Sequence, residues 1–275
     1  MNIDKKFQRI IKSVILNGEK KHNERRGVNR LEIPSYNFKH SVADGFPLLS
    51  IKGVPFKHIV SELCWFLNGD NTLEYLHSYG NKIWDKDIAN WNGVDAGQNY
   101  SKQWRNYAGK VDQISALIEG MKKDINGSRL KVEAWNPAEL TETTLPPCHT
   151  GFQVIGCKGG FELHWQQRSV DLFLGLPFNI ASYFLLGQML EKVTGIEFKG
   201  IEGNLKCVHL YENAILEGIV LMNKPEKYYS QPFTTFSQKM PADLKFVDPL
   251  NITVCDYFPE KFVKVEMLAP IKGKI

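Results

Sequence analysis

The feature that most constrains the fold is an apolar strand followed by a long apolar helix. The segment Phe161–Gln167 reads as a strand, and Ile180–Val193 reads as a long, strongly apolar helix. Elements this apolar need a substantial core. With 275 residues, 43% of them hydrophobic and 23% charged, the chain has enough apolar material to build one. The sequence therefore predicts a globular protein of the mixed α/β (α+β) class.

Hydrophobic patterning predicts further elements on both sides of this unit. The expected helices are Phe7–Leu16 (closed by Gly18), Val60–Leu67 and Asp112–Met121. The expected additional strands are Leu130–Ala134, Phe152–Ile155 and Ile252–Tyr257. The polar, arginine-containing stretch Lys20–Arg30 is expected to be a solvated loop. Because no repeat or linker divides the sequence, residues 1–275 are expected to form one domain.

The charge and the cysteines argue against several classes of protein. A formal net charge of +4 is too small to indicate nucleic-acid binding, but it suits an anionic small substrate if arginines converge on one pocket. The five cysteines are odd in number, widely spaced and without a CxxC pair, which argues against a disulfide framework and a zinc site. Neither a signal peptide nor an apolar run of the roughly 20 residues that span a bilayer is recognisable. We therefore expect a cytoplasmic protein with reduced thiols and no metal.

Three local patterns could carry chemistry. Cys148 follows two prolines and precedes His149, as a nucleophile held by a rigid backbone would, although a buried structural cysteine explains the same pattern. The segment from Arg168 to Asn179 offers side chains for a phosphate and for the edge of a uracil, or is an ordinary strand–turn–helix unit with an asparagine cap. Glu62 interrupts an apolar helix, where a carboxylate is costly unless it is paired, functional or turned outwards.

Several blocks of the sequence together resemble the thymidylate synthase family. The clearest are QRSVDLFLGLPFNIASY at Gln167–Tyr183 and LPPCH around Cys148. Others in the family's order are DGFPLL, SELCWFLNGD around Glu62, KIWD at Lys82–Asp85, YSKQWR at Tyr100–Arg105 and VHLYENA at Val208–Ala214. The resemblance implies a large twisted sheet packed with helices, and a symmetric homodimer whose sheets lie face to face. The substrates it implies are deoxyuridylate (dUMP) and 5,10-methylenetetrahydrofolate.

The resemblance also implies roles for individual residues. Cys148 would add to C6 of the pyrimidine, and the other catalytic groups would be Glu62, Tyr100, His149, Arg168 and Asp171. The nucleotide would be bound by Arg25, Gln167, Arg168, Ser169, Asn179, His209 and Tyr211, and by Arg129 of the partner subunit. The folate would be bound by Lys52, Ile83, Trp84, Asp171, Gly175 and Phe178. The asparagine at 179 favours uracil, because cytosine would be better matched by an aspartate.

The sequence departs from the family pattern at several positions. Ser128 stands where the first of two arginines is usual, Asn99 precedes Tyr100, Lys206-Cys207 replaces a Gly-Asp pair, and Asp87 stands where many members have tryptophan or asparagine. The closing segment Pro270–Ile275 stops short of the family's small apolar end, which folds over the folate and excludes water.

These departures bear on the product, because water and hydride compete for an exocyclic methylene on the pyrimidine. They favour the hydroxymethylase branch, in which water gives 5-hydroxymethyl-dUMP. The alternative is a diverged synthase that makes dTMP and dihydrofolate. A catalytically dead nucleotide-binding protein is a remote third reading, since the whole set of catalytic residues is retained. The hydroxymethylase branch serves viruses with modified DNA, so a phage enzyme working in the host cytoplasm is the corresponding hypothesis.

Overall fold

A seven-stranded mixed sheet with helices against one face forms the centre of the protein. The computed structural model describes residues 1–225 and 231–268. Within them the α-helices are α1 (Ile3–Asn17), α2 (Phe56–Asn68), α3 (Leu73–Ser78), α4 (Asp85–Trp91), α5 (Tyr100–Asn106), α6 (Gln113–Lys123), α7 (Gly175–Thr194) and α8 (Ile215–Met222). The strands are β1 (Glu19–Asn23), β2 (Val28–Ser41), β3 (Lys131–Glu133), β4 (His149–Cys157), β5 (Gly160–Gln167), β6 (Val170–Asp171), β7 (Phe198–Tyr211), β8 (Phe233–Phe236) and β9 (Ile252–Cys255).

The order and direction of the strands bring the ends of several strands together on one side of the sheet. The order is β1-β2-β7-β5-β4-β3, β6 pairs with β7, and β8-β9 form a separate hairpin. Strands β5 and β7 are parallel and are joined through α7, as parallel neighbours require a crossover. Their neighbours β4 and β2 run antiparallel to them. The ends of β5 and β7 therefore lie beside the starts of β4 and β2.

Helix α7 is buried because the inner face of the sheet covers it. Along β5 the side chains of Phe161, Leu163 and Trp165 are buried, whereas Glu162 and His164 point to the other face and are partly exposed. This alternation follows from the two-residue period of a strand. The opposite side of α7 packs against α2 and α6. The strand–helix unit predicted to dominate the fold is thus confirmed as its centre.

A glycine lets the sheet accommodate its largest buried ring. Gly203 on β7 pairs with Trp165 on β5, and a Cβ atom at this glycine would lie 2.4 Å from the indole ring. No side chain larger than hydrogen fits there without displacing the indole. The tryptophan therefore lies flat enough for the Tyr183 ring of α7 to stack on it, with ring centroids 5.3 Å apart.

Most predicted elements are confirmed, with two corrections. The predicted helices lie within α1, α2, α6 and α7, Gly18 ends α1, and the predicted strands coincide with β3, β4, β5 and β9 to within a few residues. The stretch Lys20–Arg30 is not a loop but a hairpin of β1 and β2, whose turn spans residues 24–27. Asn179 is not a helix cap, because α7 already begins at Gly175. Among the described residues, no helix is both long and apolar enough to cross a membrane.

Candidate active site

Backbone hydrogen bonds fix the loop that carries Cys148 on both of its sides. The amide of Cys148 donates to the hydroxyl oxygen of Tyr100 on α5 (2.8 Å), and its carbonyl accepts from the amide of Arg168 (2.8 Å). The thiol itself is half-buried at the edge where β4 begins. Tyr100 is held in turn at the start of α5, where Asn99 caps the helix by accepting from the amide of Ser101. The sulfur is therefore placed by α5 and the sheet together.

The Arg168 guanidinium binds the two proline carbonyls before the cysteine. Its Nε donates to the carbonyl of Pro147 and its Nη2 to that of Pro146, both at 2.8 Å, and the group lies over the ring of Trp135. Proline has no amide hydrogen, and a fixed backbone turns its carbonyl toward a donor at low entropic cost. The pattern Pro-Pro-Cys thus has a structural reason, which is to dock an arginine beside the thiol.

The turn of the β1–β2 hairpin brings two more arginines to the same place. Gly27, with φ of 65°, closes this turn. Burial and the neighbouring Arg26 lower the pKa of Arg25, whereas Cys148 acts in the opposite direction. The Arg26 guanidinium lies 5.4 Å from the centre of the Tyr211 ring. Three cations, Arg25, Arg26 and Arg168, therefore surround the mouth of the site.

A small pocket next to the thiol loop contains a buried carboxylate. Its lining residues are Glu62, Leu63, Phe66, Trp104, His149, Asn179, Ser182 and Tyr183. The indole Nε1 of Trp84 donates to Glu62 at 2.8 Å. Burial raises the pKa of Glu62 to about 7, and the hydrogen bond from Trp84 only partly opposes this rise. Glu62 is thus turned into the site rather than outwards, and it exchanges its proton close to neutral pH.

His149 is held as a neutral imidazole in the wall of this pocket. Its ring stacks on Tyr100 with centroids 3.9 Å apart, and its Nδ1 lies 2.7 Å from the hydroxyl of Tyr183. Burial lowers the pKa of His149 to about 3. Glu62 and His149 therefore differ in function, because only the carboxyl group changes its charge near neutral pH.

A hydrogen-bond relay sets the orientation of the Asn179 amide. The indole of Trp165 can only donate, so its partner at 3.1 Å is the oxygen Oε1 of Gln167. This leaves the Gln167 Nε2 to donate to Oδ1 of Asn179 at 3.0 Å and to the carbonyl of Ser169 at 3.3 Å. The Nδ2 of Asn179 is then free to donate, and its Oδ1 keeps a second lone pair. Asn179 offers one donor and one acceptor in a defined orientation.

The ends of β6 and β7 add a second group of polar side chains. The Nδ1 of His209 donates to the carbonyl of Cys207 at 2.7 Å, and its buried Nε2 has no hydrogen-bond partner among the described residues. Asp171 pairs with His209 in the parallel register of these strands. The hydroxyl of Tyr211 accepts from Asn23 at 3.3 Å. A buried ring nitrogen without a partner suits a ligand hydroxyl.

Part of the segment 256–268 lines a second pocket. The residues around this pocket are Asp171, Phe173, Leu174, Tyr211, Asn213, Ala214, Val265, Glu266 and Leu268. The Nδ2 of Asn213 donates to the carbonyl of Glu266 at 2.9 Å. The Asp171 carboxylate accepts from the amides of Phe173 and Leu174, both at 3.0 Å. The closing segment Pro270–Ile275, on which the expectation of a shortened lid rests, lies outside the described residues.

Of the residues expected to bind folate, Asp171 lines this second pocket, whereas Trp84 contacts Glu62 of the first pocket. Gly175 opens α7 between Asp171 and Asn179, and Ile83 and Phe178 are half-buried beside the core. Lys52, expected near the glutamate tail, is turned inwards: its ammonium donates to the carbonyl of Phe173 and lies 3.8 Å from the centre of that ring. Burial lowers the pKa of Lys52 to about 8.

Arg129 is the one expected nucleotide ligand that lies far from the others. It is exposed at the start of β3, and the carbonyl of the next residue, Leu130, accepts from Val154 of β4. Cys148 lies just before the other end of β4. At about 3.3 Å per strand residue, the separation along β4 is on the order of 20 Å. Arg129 therefore does not join the arginine group of its own chain.

Departures from the family pattern lie beside predicted site residues. Asp87 on α4 is 9% exposed, and burial raises the pKa of its carboxyl while Arg26 and Arg25 oppose the rise. Asn99 is fully buried, and its Nδ2 has no hydrogen-bond partner among the described residues. A third, Cys207, has φ of 46° and carries the carbonyl that orients His209. These positions hold polar or strained groups close to the site.

Tyr183 is the main residue of the site that the sequence argument missed. It follows Asn179 by one helical turn on α7, so both side chains lie on the same face of the helix. That spacing was the available signal, but an aromatic residue in an apolar helix is more often simply part of a core. Its contact with His149 depends on the pairing of β4 with β5, which the local sequence does not reveal.

One cluster of metal-ligand side chains lies on the outer face of the sheet among the described residues. Ligand atoms of Glu162, His164 and Glu202 lie within 4.8 Å of one another, although the sequence spacing gave no sign of such a cluster. His164 contacts Glu162 at 2.9 Å, and Lys39 pairs with Glu202 at 2.6 Å. The register of β5 against β7 brings His164 and Glu202 together. Both carboxylates already have partners here.

The carboxyl group of Glu62 is expected to titrate near pH 7 in the folded protein. Replacing Trp84 with phenylalanine removes a hydrogen bond to its ionised form, so the midpoint should rise further. Carbon-13 NMR of glutamate-labelled protein measures both midpoints. Trp104→Phe is the matched control, because Trp104 lines the same pocket without a hydrogen bond to Glu62. A wild-type midpoint near the ordinary value of 4.5 would contradict the burial of this carboxylate in the site.

The comparison with known families agrees with this geometry. The family model described as "Thymidylate synthase" matches residues 5–269, which is nearly the whole chain. The match includes the cysteine loop, the arginine-bearing hairpin, α7 and the end of β7. The chain therefore belongs to the thymidylate synthase family and is a folate-dependent enzyme of one-carbon transfer to C5 of deoxyuridylate.

Proposed function

We propose that this enzyme joins Cys148 to C6 of dUMP, transfers one carbon from 5,10-methylenetetrahydrofolate to C5, and releases 5-hydroxymethyl-dUMP. The observation that carries the proposal is the position of Cys148. Its loop is tied to Tyr100 on one side and Arg168 on the other, and the next residue, His149, lines the pocket that contains Glu62 and Asn179. A nucleophile, cations and a buried acid thus lie close together.

The arginines bind the phosphate and support the thiolate. Arg25 and Arg168 approach from the hairpin turn and from the end of β5, and Ser169 adds a hydroxyl next to them. Arginine suits this task because its planar donors match phosphate oxygens in pairs. Arg25 interacts electrostatically with Cys148, and Arg168 binds the carbonyls of the two residues before it, so that cations approach the proposed nucleophile. His209 and Tyr211 bind the ribose 3′-hydroxyl, for which the unpaired Nε2 of His209 is available.

Asn179 selects the base, and Glu62 moves the proton at its edge. The free Nδ2 of Asn179 donates to O4, and its Oδ1 accepts from N3–H, in the orientation fixed by Gln167. When Cys148 adds to C6, negative charge develops on C5 and O4. Glu62, whose pKa is about 7, supplies a proton toward O4 and the folate nitrogen through water. The hydroxyl of Tyr100 accepts from the Cys148 amide and thus stands close enough to assist removal of the C5 proton.

Ile83, Trp84, Gly175 and Phe178 would hold the flat ring system of the folate, and Asp171, which lines the second pocket, would offer a carboxylate to the ring nitrogens. When bound, the folate supplies the one-carbon unit. Lys52 reaches its glutamate tail only by leaving Phe173, a movement made easier by a pKa of about 8.

Polar groups beside the site favour the reaction of the exocyclic methylene with water over its reaction with a hydride. After departure of tetrahydrofolate has left an exocyclic methylene on C5, water adds to the methylene carbon, and the Cys148 thiolate then leaves C6 and restores the C5–C6 double bond. The Asp87 carboxylate and the unpaired Nδ2 of Asn99 are groups that ordered water satisfies. Formation of dTMP and dihydrofolate instead requires a dry cleft. The synthase reaction is the alternative to this proposal.

The enzyme acts as a homodimer in which Arg129 of the partner subunit completes the phosphate site. Support comes from the distance of Arg129 from its own chain's thiol and from the outer face of the sheet. That face carries polar, exposed or partly exposed side chains of three neighbouring strands, among them Asn37, Lys39, His164, Glu202 and Asn204. A sheet face exposed in the single chain is open to a second copy related by a two-fold axis.

Loss of the C5 hydrogen tests the proposed chemistry. With dUMP tritiated at C5 and methylenetetrahydrofolate, the wild type should release tritium to water. Cys148→Ser should reduce the rate by on the order of 10³-fold or more, because the C6 bond no longer forms efficiently. Cys157→Ser is the matched control, because Cys157 is exposed at the end of β4 and its replacement should leave the rate of tritium release unchanged. A wild type that binds dUMP without releasing tritium would instead support a catalytically dead binding protein.

Mixing of two inactive variants tests the shared site. Arg129→Ala and Cys148→Ala should each be nearly inactive as homodimers. A heterodimer of the two contains one site with an intact thiol and an intact Arg129 of the partner subunit, so about a quarter of wild-type activity is expected from random exchange of subunits. Lys131→Ala is the control, because it removes a neighbouring positive charge on β3 and should leave the activity of the homodimer intact. If the subunits are shown to exchange and no activity is recovered, the proposal of a site shared between two subunits is contradicted.

A further inference from the structure

The hydroxyl of Tyr183 has one partner among the described residues, and that partner is His149. Tyr183 is 2% exposed and lies on α7, stacked on Trp165 and edge-on to the His149 ring. Its hydroxyl oxygen lies 2.7 Å from Nδ1 of His149. The His149 ring is also stacked on Tyr100, which holds the plane of the imidazole. The contact is a built feature of the pocket wall.

The direction of this hydrogen bond follows from the burial of both groups. If Nδ1 donated, the hydroxyl hydrogen of Tyr183 would be left without an acceptor in the interior. If the hydroxyl donates, only an oxygen lone pair is unused, which is the smaller penalty. Burial keeps both groups neutral at pH 7, because it lowers the pKa of His149 to about 3 and raises that of Tyr183 well above its usual value. Tyr183 is therefore the donor.

This assignment fixes what His149 offers to a ligand. With Nδ1 accepting from Tyr183, the proton of the neutral ring resides on Nε2. His149 lines the pocket together with Glu62 and Asn179, so Nε2–H is a donor in that pocket. The Nδ2 of Asn179 is a second donor there. Two donors suit a carbonyl oxygen and oppose an amino group.

We propose that Tyr183 is a positioning residue that fixes the Nε2–H tautomer of His149 and thereby makes the site prefer a 4-oxo over a 4-amino pyrimidine. The inference rests on the proposed function in so far as the uracil edge faces His149 and Asn179. It assigns to Tyr183, acting through His149, a part of the base selectivity in addition to that of Asn179. Cytosine would meet Nε2–H with its own N4–H donors, leaving buried donors unpaired.

The tautomer is measured directly in the unliganded enzyme. Nitrogen-15 NMR of histidine-labelled protein distinguishes a protonated ring nitrogen from an unprotonated one, and a His149→Gln sample identifies the signals. We expect Nε2 protonated and Nδ1 unprotonated in the wild type between pH 6 and 8. In Tyr183→Phe, which keeps the ring stacked on Trp165, a mixture of tautomers is expected. A wild-type His149 protonated at Nδ1 would overturn the inference without any variant.

Selectivity is measured by binding, which does not require turnover. The ratio of the dissociation constants of dCMP and dUMP should fall about tenfold in Tyr183→Phe, mainly through weaker dUMP binding. Tyr75→Phe, at a partly buried tyrosine that lies on α3 outside the pocket, should keep the wild-type ratio. An unchanged ratio in Tyr183→Phe despite mixed tautomers would overturn the link to selectivity. A wild type that binds dUMP selectively without turnover would contradict the proposed function and still support this inference.

Discussion

The structure of the site depends on the hydrogen bonds that hold the Cys148 loop between α5 and the sheet. The Cys148 amide binds the Tyr100 hydroxyl, and the Cys148 carbonyl binds the Arg168 amide. Neither contact is local in sequence, so the loop reaches its position only when β4, β5 and α5 have packed together. Rigid prolines limit the alternative conformations of the loop. The thiol is thus aimed by the fold rather than by its own neighbours along the chain.

Burial divides the work among the polar groups of the pocket. The same desolvation raises the pKa of Glu62 to about 7 and lowers that of His149 to about 3, because it always disfavours the charged form. One group therefore exchanges protons near neutral pH, and the other serves as a fixed, uncharged hydrogen-bonding group. The hydrogen bonds from Trp165 to Gln167 and from Gln167 to Asn179 fix the orientation of the Asn179 amide, just as the hydrogen bond from Tyr183 fixes the tautomer of the His149 imidazole. In both cases a donating group determines which atom of its neighbour accepts.

The sequence predicted helices and strands that depend on one segment of the chain, and it missed features that depend on contacts between distant segments. The apolar patterns predicted α1, α2, α6 and α7, and the resemblance identified the family. The strands β2 and β7 were missed, because long strands with polar residues on one face lack a continuous apolar run. The arginine hairpin was mistaken for a loop for the same reason. Tyr183, Trp135 and the inward turn of Lys52 depend on tertiary contacts that no local pattern contains.

The most direct test of the account is to identify the nucleotide product. The enzyme is incubated with dUMP and 5,10-methylenetetrahydrofolate, the nucleotide is examined by mass spectrometry, and dihydrofolate is followed by absorbance. The account predicts a hydroxymethyl nucleotide and no dihydrofolate, as expected if the cleft with Asp87 and Asn99 admits water. Thymidylate with one dihydrofolate for each nucleotide would contradict it, because hydride transfer would then have outcompeted water in the same cleft.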